Sequence, residues 1–69
     1  KLSYKEQEEF KKLEIDIEKL SKEKNDLADK LSSGSLEHQQ IQTISSMLEK
    51  IIGSLDEKEL RWLELSEFA

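Results

Sequence analysis

The segment that decides the fold runs from Phe10 to Leu31 and reads FKKLEIDIEKLSKEKNDLADKL. Its seam residues recur at steps of three and four, which is the heptad spacing of a coiled coil, with Phe10 at position a. One helix cannot bury such a seam against itself, so the chain must supply a partner helix. The seam consists of Phe10, Leu13, Ile17, Leu20, Lys24, Leu27 and Leu31.

The second half of the chain repeats the same spacing from Ile41 onward. Between the two seams lies Ser32-Ser33-Gly34-Ser35, the only clear turn signal in the sequence. The two patterns predict an all-α fold, an antiparallel two-helix coiled-coil hairpin. The second seam consists of Ile41, Ile44, Leu48, Ile51, Leu55, Lys58, Trp62 and Leu65.

Capping signals set the expected bounds of the first helix. Ser3 has Glu6 three residues later, which is the spacing of a capping box. No proline or glycine interrupts the chain before Gly34, so the helix is expected over about residues 3–32, about 43 Å in length. Gly34 itself suits the left-handed position just past a helix end.

The second helix is expected over about residues 39–67, after a loop or irregular turn at about 33–38. Ser35 offers an N-cap for it. A mid-helix glycine costs about 1 kcal/mol relative to alanine, so Gly53 allows a kink or a restart near residue 53.

Two pairing registers keep apolar residues facing each other. The favoured register places Phe10 opposite Leu65 and Leu13 opposite Trp62, because the bulky side chains then share one end of the rod. A shift by one heptad also keeps apolar residues together and gives a tighter turn.

Lys24 and Lys58 occupy seam positions, which admits two interpretations. A buried polar group can control register, because it disfavours slipped or larger assemblies. Alternatively, each four-carbon stem packs in the seam while its ammonium group reaches water, and this second interpretation is favoured.

Composition places the chain among small coiled-coil domains. Its 69 residues bound it to one domain, and it has no cysteine or metal-ligand cluster to staple a small core. Charged residues make up 39% and hydrophobic residues 35%, with charges of alternating sign, which indicates helix instead of disorder.

The lack of cysteine fits a reducing cytosol, and no signal peptide or long apolar run indicates export or a membrane. The start at Lys1 instead of Met indicates a fragment of a longer protein.

The net charge of −5 is unevenly distributed. Residues 1–30 hold eight lysines against nine acids, whereas residues 31–69 hold three bases against seven acids, which argues against a strongly basic nucleic-acid binder. One stripe on the outer face of the first helix could still follow a phosphate backbone, although a solvated face is the default interpretation. In the heptad, Lys5, Lys12 and Lys19 fall at c and Lys1 and Lys22 at f, with Lys11 beside them.

The C-terminal part of the second helix is apolar on more than one face. Leu60 and Leu63 add to Trp62 and Leu65, and four large apolar residues within six positions cannot all face one partner helix. Some must meet the Leu2–Tyr4 segment, a second copy of the chain, or a neighbouring domain.

Signals for catalysis are missing from the sequence. His38 is the only histidine and has no cysteine or second histidine beside it, so a solvated surface histidine is the expected interpretation. There is no glycine-rich phosphate loop and no nucleophile–base pair at a suggestive spacing. The sequence therefore predicts a non-enzymatic chain with no catalytic, cofactor-binding or metal site.

Both ends of the chain resemble one family. The opening KLSYKEQEEF of residues 1–10 resembles the start of the C-terminal domain of Uup-like ABC-F ATPases, and LDEKELRWLEL of residues 55–65 resembles its final RW-x-x-L segment. The resemblance covers the whole chain in length and order. Glu8 is a departure, because the family often has a basic residue after the KEQ triplet.

The resemblance implies a soluble, cytoplasmic bacterial parent with two tandem ATP-binding cassettes upstream and no membrane domain. ATP and magnesium would bind to those cassettes, so no cofactor is expected in this chain. It also implies a C-terminal helical hairpin associated with DNA binding, in a wider family that acts on ribosomes.

The leading hypothesis is therefore a non-catalytic C-terminal coiled-coil domain that contacts DNA or ribosomal RNA. The competing hypothesis is a protein-interaction or spacer element, a monomer or weak dimer, that docks on the cassettes of the parent or on another copy. The expected nucleic-acid contacts are Lys1, Lys5, Lys11, Lys12, Lys19, Lys22 and Arg61, and the expected docking residues are Leu60, Trp62, Leu63 and Phe68.

Overall fold

Two helices joined by a short loop form the whole chain. The computed structural model describes all residues, with α1 at Tyr4–Ser32 and α2 at His38–Ser66. The helices run antiparallel as a rod with extents of 50 × 15 × 14 Å. The predicted all-α two-helix hairpin is therefore confirmed. Residues 33–37 form its loop end, and the chain termini meet at the opposite end, the termini end.

The core is a narrow seam between α1 and α2. Only four residues are buried, and all four are leucines at heptad positions a or d of the predicted seams. Burying a leucine side chain stabilises a fold by about 1.5–3 kcal/mol, so these few residues carry much of the packing energy. They are Leu13 and Leu27 in α1 and Leu55 and Leu65 in α2.

The start of α1 has the predicted capping box. The Ser3 hydroxyl accepts the Glu6 backbone N–H at 3.2 Å, and the Glu6 carboxylate accepts the Ser3 backbone N–H at 3.0 Å. Leu2 is half-buried, but Tyr4 is 77% exposed. Leu2 lines a groove with Phe68, whereas the four residues expected to need such a partner do not line that groove. These four are Leu60, Trp62, Leu63 and Leu65.

The loop follows one prediction and departs from another. Gly34 has φ +73°, the left-handed conformation predicted for it. Ser35 is not the N-cap of α2, because the helix begins at His38 with Glu37 as its N-cap. Gln40, three residues after Glu37, accepts the Glu37 backbone N–H at 3.0 Å, whereas the Ser35 hydroxyl is already hydrogen-bonded to that of Ser33 at 3.1 Å.

Gly53 neither ends nor restarts α2. The helix continues through it to Ser66, so the restart that the sequence allowed near residue 53 does not occur. Adding one residue to an existing helix fixes few dihedral angles for each hydrogen bond gained, and this propagation outweighs the weak helix preference of a single glycine.

The aromatic pair near the termini end bears on the register. The rings of Phe10 and Trp62 stack with centroids 5.5 Å apart and an interplanar angle of 14°. Phe10 was expected to face Leu65 and Leu13 to face Trp62, whereas the stack places Trp62, about one helical turn before Leu65, against Phe10. Offset aromatic pairs contribute about 0.5–1.5 kcal/mol beyond the area that they bury.

Substituting alanine for Gly53 and for Gly34 is expected to change the stability of the hairpin in opposite directions. A Cβ at either position meets no atom within 4 Å, but only Gly34 has a positive φ. We expect Gly53→Ala to raise the free energy of unfolding by about 0.5–1 kcal/mol. Gly34→Ala is expected to lower it by about 1 kcal/mol, because an L side chain is strained in that conformation. Urea unfolding followed by circular dichroism measures both, and equal signs would contradict the assignment.

Candidate interaction surfaces

One long side of the hairpin, the ion-pair face, is closed by ion pairs between α1 and α2. Arg61 of α2 donates to both carboxylate oxygens of Glu9 in α1, from Nε at 2.7 Å and from Nη2 at 3.0 Å. Its Nη1 donates to Glu64 within α2 at 3.3 Å. A planar guanidinium matches a carboxylate in this two-pronged geometry, so the pair fixes the helices relative to each other.

A second ion pair on this face involves a seam lysine. Lys58 Nζ lies 3.4 Å from Asp16 Oδ2, and both side chains are about two-thirds buried. The Lys58 stem packs in the seam as expected, but its ammonium group bonds to a carboxylate of α1 instead of reaching only water. Lys24, the other seam lysine, is exposed.

Hydrogen bonding on α1 lowers the pKa of two carboxyl groups. The pKa of Glu9 lies below its ordinary value of 4.5, chiefly because Arg61 donates hydrogen bonds to the ionised form. Correspondingly, hydrogen bonding to Glu9 raises the pKa of Arg61. The pKa of Glu6 is lowered by its hydrogen bond from the Ser3 backbone N–H, with a smaller contribution from the Ser3 side chain.

A row of lysines runs along α1 next to the ion-pair face. Lys5, Lys12 and Lys19 are exposed and make no ion pair. They are spaced by seven residues, which is about 10.5 Å along a helix. We call these three residues the lysine row.

The cross-helix pairs take two carboxylates that lie beside the lysine row. Glu9 lies one turn from Lys5 and from Lys12, and Asp16 lies one turn from Lys12, the spacing of common helix ion pairs. Arg61 and Lys58 of α2 take these two carboxylates instead. The ammonium groups of the row therefore remain available to solvent or to an anion.

The other residues of the predicted nucleic-acid set are placed differently. Lys11 pairs with Glu8 at 3.5 Å and Lys22 with Glu18 at 3.9 Å, all on the exposed surface of α1. Arg61 is held by its two carboxylates. Lys1 is exposed at the termini end.

The opposite long side, the groove face, has an apolar groove of about 350 Å³ between the helices. Its apolar lining is Ile17 from α1 with Trp62 and Leu63 from α2. Glu14 and Glu59 edge it, one from each helix, and neither makes an ion pair. Two like charges across such a groove favour a cationic or apolar occupant over an anionic one.

A second groove continues along the same face toward the termini end and shares Glu14 with the first. Its apolar lining includes Leu2, Phe10 and Phe68. Lys1 and Lys11 add positive charge there. The groove face is therefore anionic at one end and cationic at the other.

Three of the four predicted docking residues line the grooves of this face. Leu60, Leu63 and Phe68 are more than half exposed, at 61%, 55% and 58%, while Trp62 is half-buried under Phe10. The structure brings Trp62 and Leu63 into one groove and Phe68 into the next. Leu60 lines neither groove.

The sequence did not predict the ion pairs between the helices or the glutamates at the edge of the groove. The Glu9–Arg61 and Asp16–Lys58 contacts depend on how far one helix is shifted along the other, which heptad spacing leaves open. Heptad position offered one signal, because Glu9, Asp16 and Arg61 fall at g, which flanks the seam in an antiparallel pair. Ile15, which is 67% exposed on the outer surface of α1, was not singled out either.

The hairpin has neither a metal-binding cluster nor a membrane-spanning helix. No group of three or more histidine, cysteine, aspartate or glutamate side chains is gathered closely enough to hold a metal ion. Neither helix combines the length and hydropathy required to span a bilayer.

Two packed helices, a short loop and charged outer faces define the chain as a coiled-coil hairpin domain. The family model described as ABC transporter C-terminal domain matches residues 1–67. The chain therefore belongs to this family and is a domain of an ABC protein, which confirms the resemblance seen at its two ends. No curated protein and no solved structure matched the chain.

The Glu9–Arg61 pair predicts a specific loss of stability in acid. Because the pKa of Glu9 is lower in the folded chain than its ordinary value of 4.5, its contribution to stability is present above that pH and is lost as pH falls through the lowered pKa. We expect Glu9→Gln to lower the melting temperature at pH 7 and to reduce its dependence on pH in acid.

Glu8→Gln is the matched control for Glu9→Gln, since Glu8 has the same side chain in the same helix but pairs only within exposed α1. Thermal unfolding between pH 7 and about pH 3 measures both variants. Equal effects of the two substitutions would contradict a structural role for the cross-helix pair.

Proposed function

We propose that this chain is the non-catalytic C-terminal coiled-coil domain of an ABC-F type ATPase and that it contacts nucleic acid, DNA or ribosomal RNA, through the lysines of α1. The observation that carries the proposal is the lysine row, three exposed and unpaired ammonium groups along one edge of a rigid rod. The family match and the likeness of both chain ends to Uup-like proteins support the ABC-F assignment.

The geometry of the row suits a polyanion. Its spacing of about 10.5 Å repeats along a straight helix and is wider than the step between successive phosphates, so the ammonium groups can lie against separate, non-adjacent phosphates of one backbone. Lysine acts there as a point charge that displaces condensed counterions. Binding of this kind is independent of base sequence and falls steeply with salt.

The remaining cations take secondary parts in this proposal. Lys11 and Lys22 make exposed ion pairs within α1, which contribute little and can be exchanged for phosphate contacts. Lys1 extends the positive surface toward the termini end. Arg61 acts indirectly, since by holding Glu9 it keeps a carboxylate away from Lys5 and Lys12.

The charge of the whole chain orients the contact. Residues 31–69 hold seven acids against three bases, so α2 is repelled by a phosphate backbone while the outer face of α1 is attracted. The hairpin would therefore lie with α1 toward the nucleic acid. In this proposal ATP and magnesium bind to the cassettes of the parent, and the hairpin supplies only contacts.

The lysine row predicts a loss of binding when its charges are removed. We expect Lys5→Gln, Lys12→Gln and Lys19→Gln together to weaken binding of duplex DNA or RNA by at least about tenfold at low salt. The slope of log affinity against log salt should fall by about 2 to 3 for duplex DNA, because three phosphate contacts are lost. Fluorescence anisotropy titrations over a salt series measure both quantities.

A matched triple variant controls for net charge. Lys24→Gln, Lys30→Gln and Lys50→Gln remove the same charge from exposed lysines outside the row. For this variant, the slope of log affinity against log salt should equal that of the unaltered chain. Equal losses for the two triple variants, or no binding by the unaltered chain at low salt, would rule out contact through the row.

A second candidate function is protein docking, favoured by the exposed apolar residues of the groove face. Leu63 leaves a large apolar side chain in solvent at a groove that no part of this chain fills, and Leu60 is exposed on the same helix outside that groove. Such surfaces commonly mark interaction sites. The occupant in this proposal is a cassette of the parent protein or another copy.

Docking on a cassette predicts position-specific cross-linking. A photo-reactive residue in place of Leu63 of the full-length parent should cross-link to a cassette, while one in place of Met47 should not. Met47 is a suitable control because it is similarly exposed and belongs to a different part of α2. Equal yields at both positions would exclude docking through the groove face.

A further inference from the structure

The two long sides of the hairpin differ in whether their charged side chains form ion pairs between the helices. On the ion-pair face, Arg61 and Lys58 of α2 bond to carboxylates of α1. On the groove face no ion pair joins the helices, and Glu14 and Glu59 edge the same groove with like charge. The groove face therefore leaves both charge and apolar surface without a partner in the chain.

The charges on this face change sign along the rod. The groove nearer the loop end has two glutamates and no base, whereas the groove at the termini end has Lys1 and Lys11. Lys11 lies one helical turn before Glu14, which belongs to both grooves. Turning the face by 180° about an axis between Lys11 and Glu14 exchanges the cationic end with the anionic end.

We infer that the groove face binds a second copy of this chain in a two-fold dimer. In such an interface the same surface is used twice, so the Lys11 of each copy meets the Glu14 of the other. The inference concerns the docking surface proposed above and identifies its occupant. It does not depend on contact through the lysine row, which lies beside the ion-pair face. Lys11 would exchange its exposed pair with Glu8 for the Glu14 of the other copy.

Apolar surface is paired by the same rotation. The groove formed by Ile17, Trp62 and Leu63 comes to lie over the groove lined by Leu2, Phe10 and Phe68 of the other copy. Both the exposed rim of Leu63 and the exposed ring of Phe68 then lose contact with water. Charges at the edge would select the orientation, and the apolar residues would supply most of the affinity.

Sedimentation equilibrium of the 69-residue chain tests the inference. The mass should rise from the 8.1 kDa of the monomer toward twice that value as the concentration increases from about 10 μM to about 1 mM. Glu14→Lys alone and Lys11→Glu alone should each lower the association constant by at least about tenfold, because each places like charges together. The double variant should restore it to within about threefold, because both contacts are reversed at once.

Two matched controls locate the interface. Glu23→Lys makes the same charge change as Glu14→Lys on the ion-pair side of α1, where Glu23 lines a separate cleft beside Lys58. Met47→Gln makes the same change as Leu63→Gln at a similarly exposed apolar residue. Glu23→Lys and Met47→Gln should leave association unchanged, and Leu63→Gln should weaken it. Circular dichroism verifies that each variant remains helical.

Several results would overturn the inference. These are a mass of 8.1 kDa at every concentration, a double variant that fails to recover, and controls that dissociate as strongly as the test variants. A chain that stays monomeric yet cross-links to a cassette through Leu63 would keep the docking function and exclude the second copy as its occupant. The variant with Lys5→Gln, Lys12→Gln and Lys19→Gln should still form the dimer. Its dimerisation therefore distinguishes self-association from nucleic-acid binding.

Discussion

Mutual burial of the apolar residues of the two heptad seams is the interaction on which every other feature of this hairpin depends. No disulfide or metal cluster supplements it, and the four buried residues all belong to the seams. The seam also sets the rotation of each helix about its axis, and hence the side of the rod on which every charge lies. A slip of one heptad would separate Arg61 from Glu9 and Lys58 from Asp16. The cross-helix ion pairs of the ion-pair face therefore exist only in this register.

Ion pairs between the helices affect which lysines on the outer surface of α1 stay unpaired. The Asp16–Lys58 pair is partly buried, and it has an effect besides its own contribution to stability. By binding Glu9 and Asp16, the cations of α2 take carboxylates that lie within one helical turn of the lysine row, and no ion pair joins that row to α1 or α2. An acidic protein can in this way present a local cationic edge, which net charge alone would not reveal.

Local features of the sequence were sufficient to predict most of the fold. Heptad spacing gave two helices, the Ser3 capping box gave the start of α1, and Gly34 gave the turn, because each depends on neighbours within one helical turn. The N-cap of α2 was predicted wrongly because a glutamate whose Gln40 partner completes the box outcompetes Ser35. Contacts across the helices, such as the Phe10–Trp62 stack, depend on axial offset and could not be derived from periodicity. The exposure of the predicted lysines followed from heptad position, whereas their freedom from ion pairs did not.

The distribution of buried leucines also constrains how the chain reaches its folded state. Leu27 is the only buried residue near the loop end, while Leu13 and Leu65 lie toward the termini end and Leu55 between. A hairpin that zipped gradually from its turn would gain little in its first steps, because the well-buried contacts join residues distant in sequence. The entropy of closing that long segment must be spent before most apolar burial is gained. Folding is therefore expected to be all-or-none, with no populated species in which only the turn and its adjoining helical segments are paired.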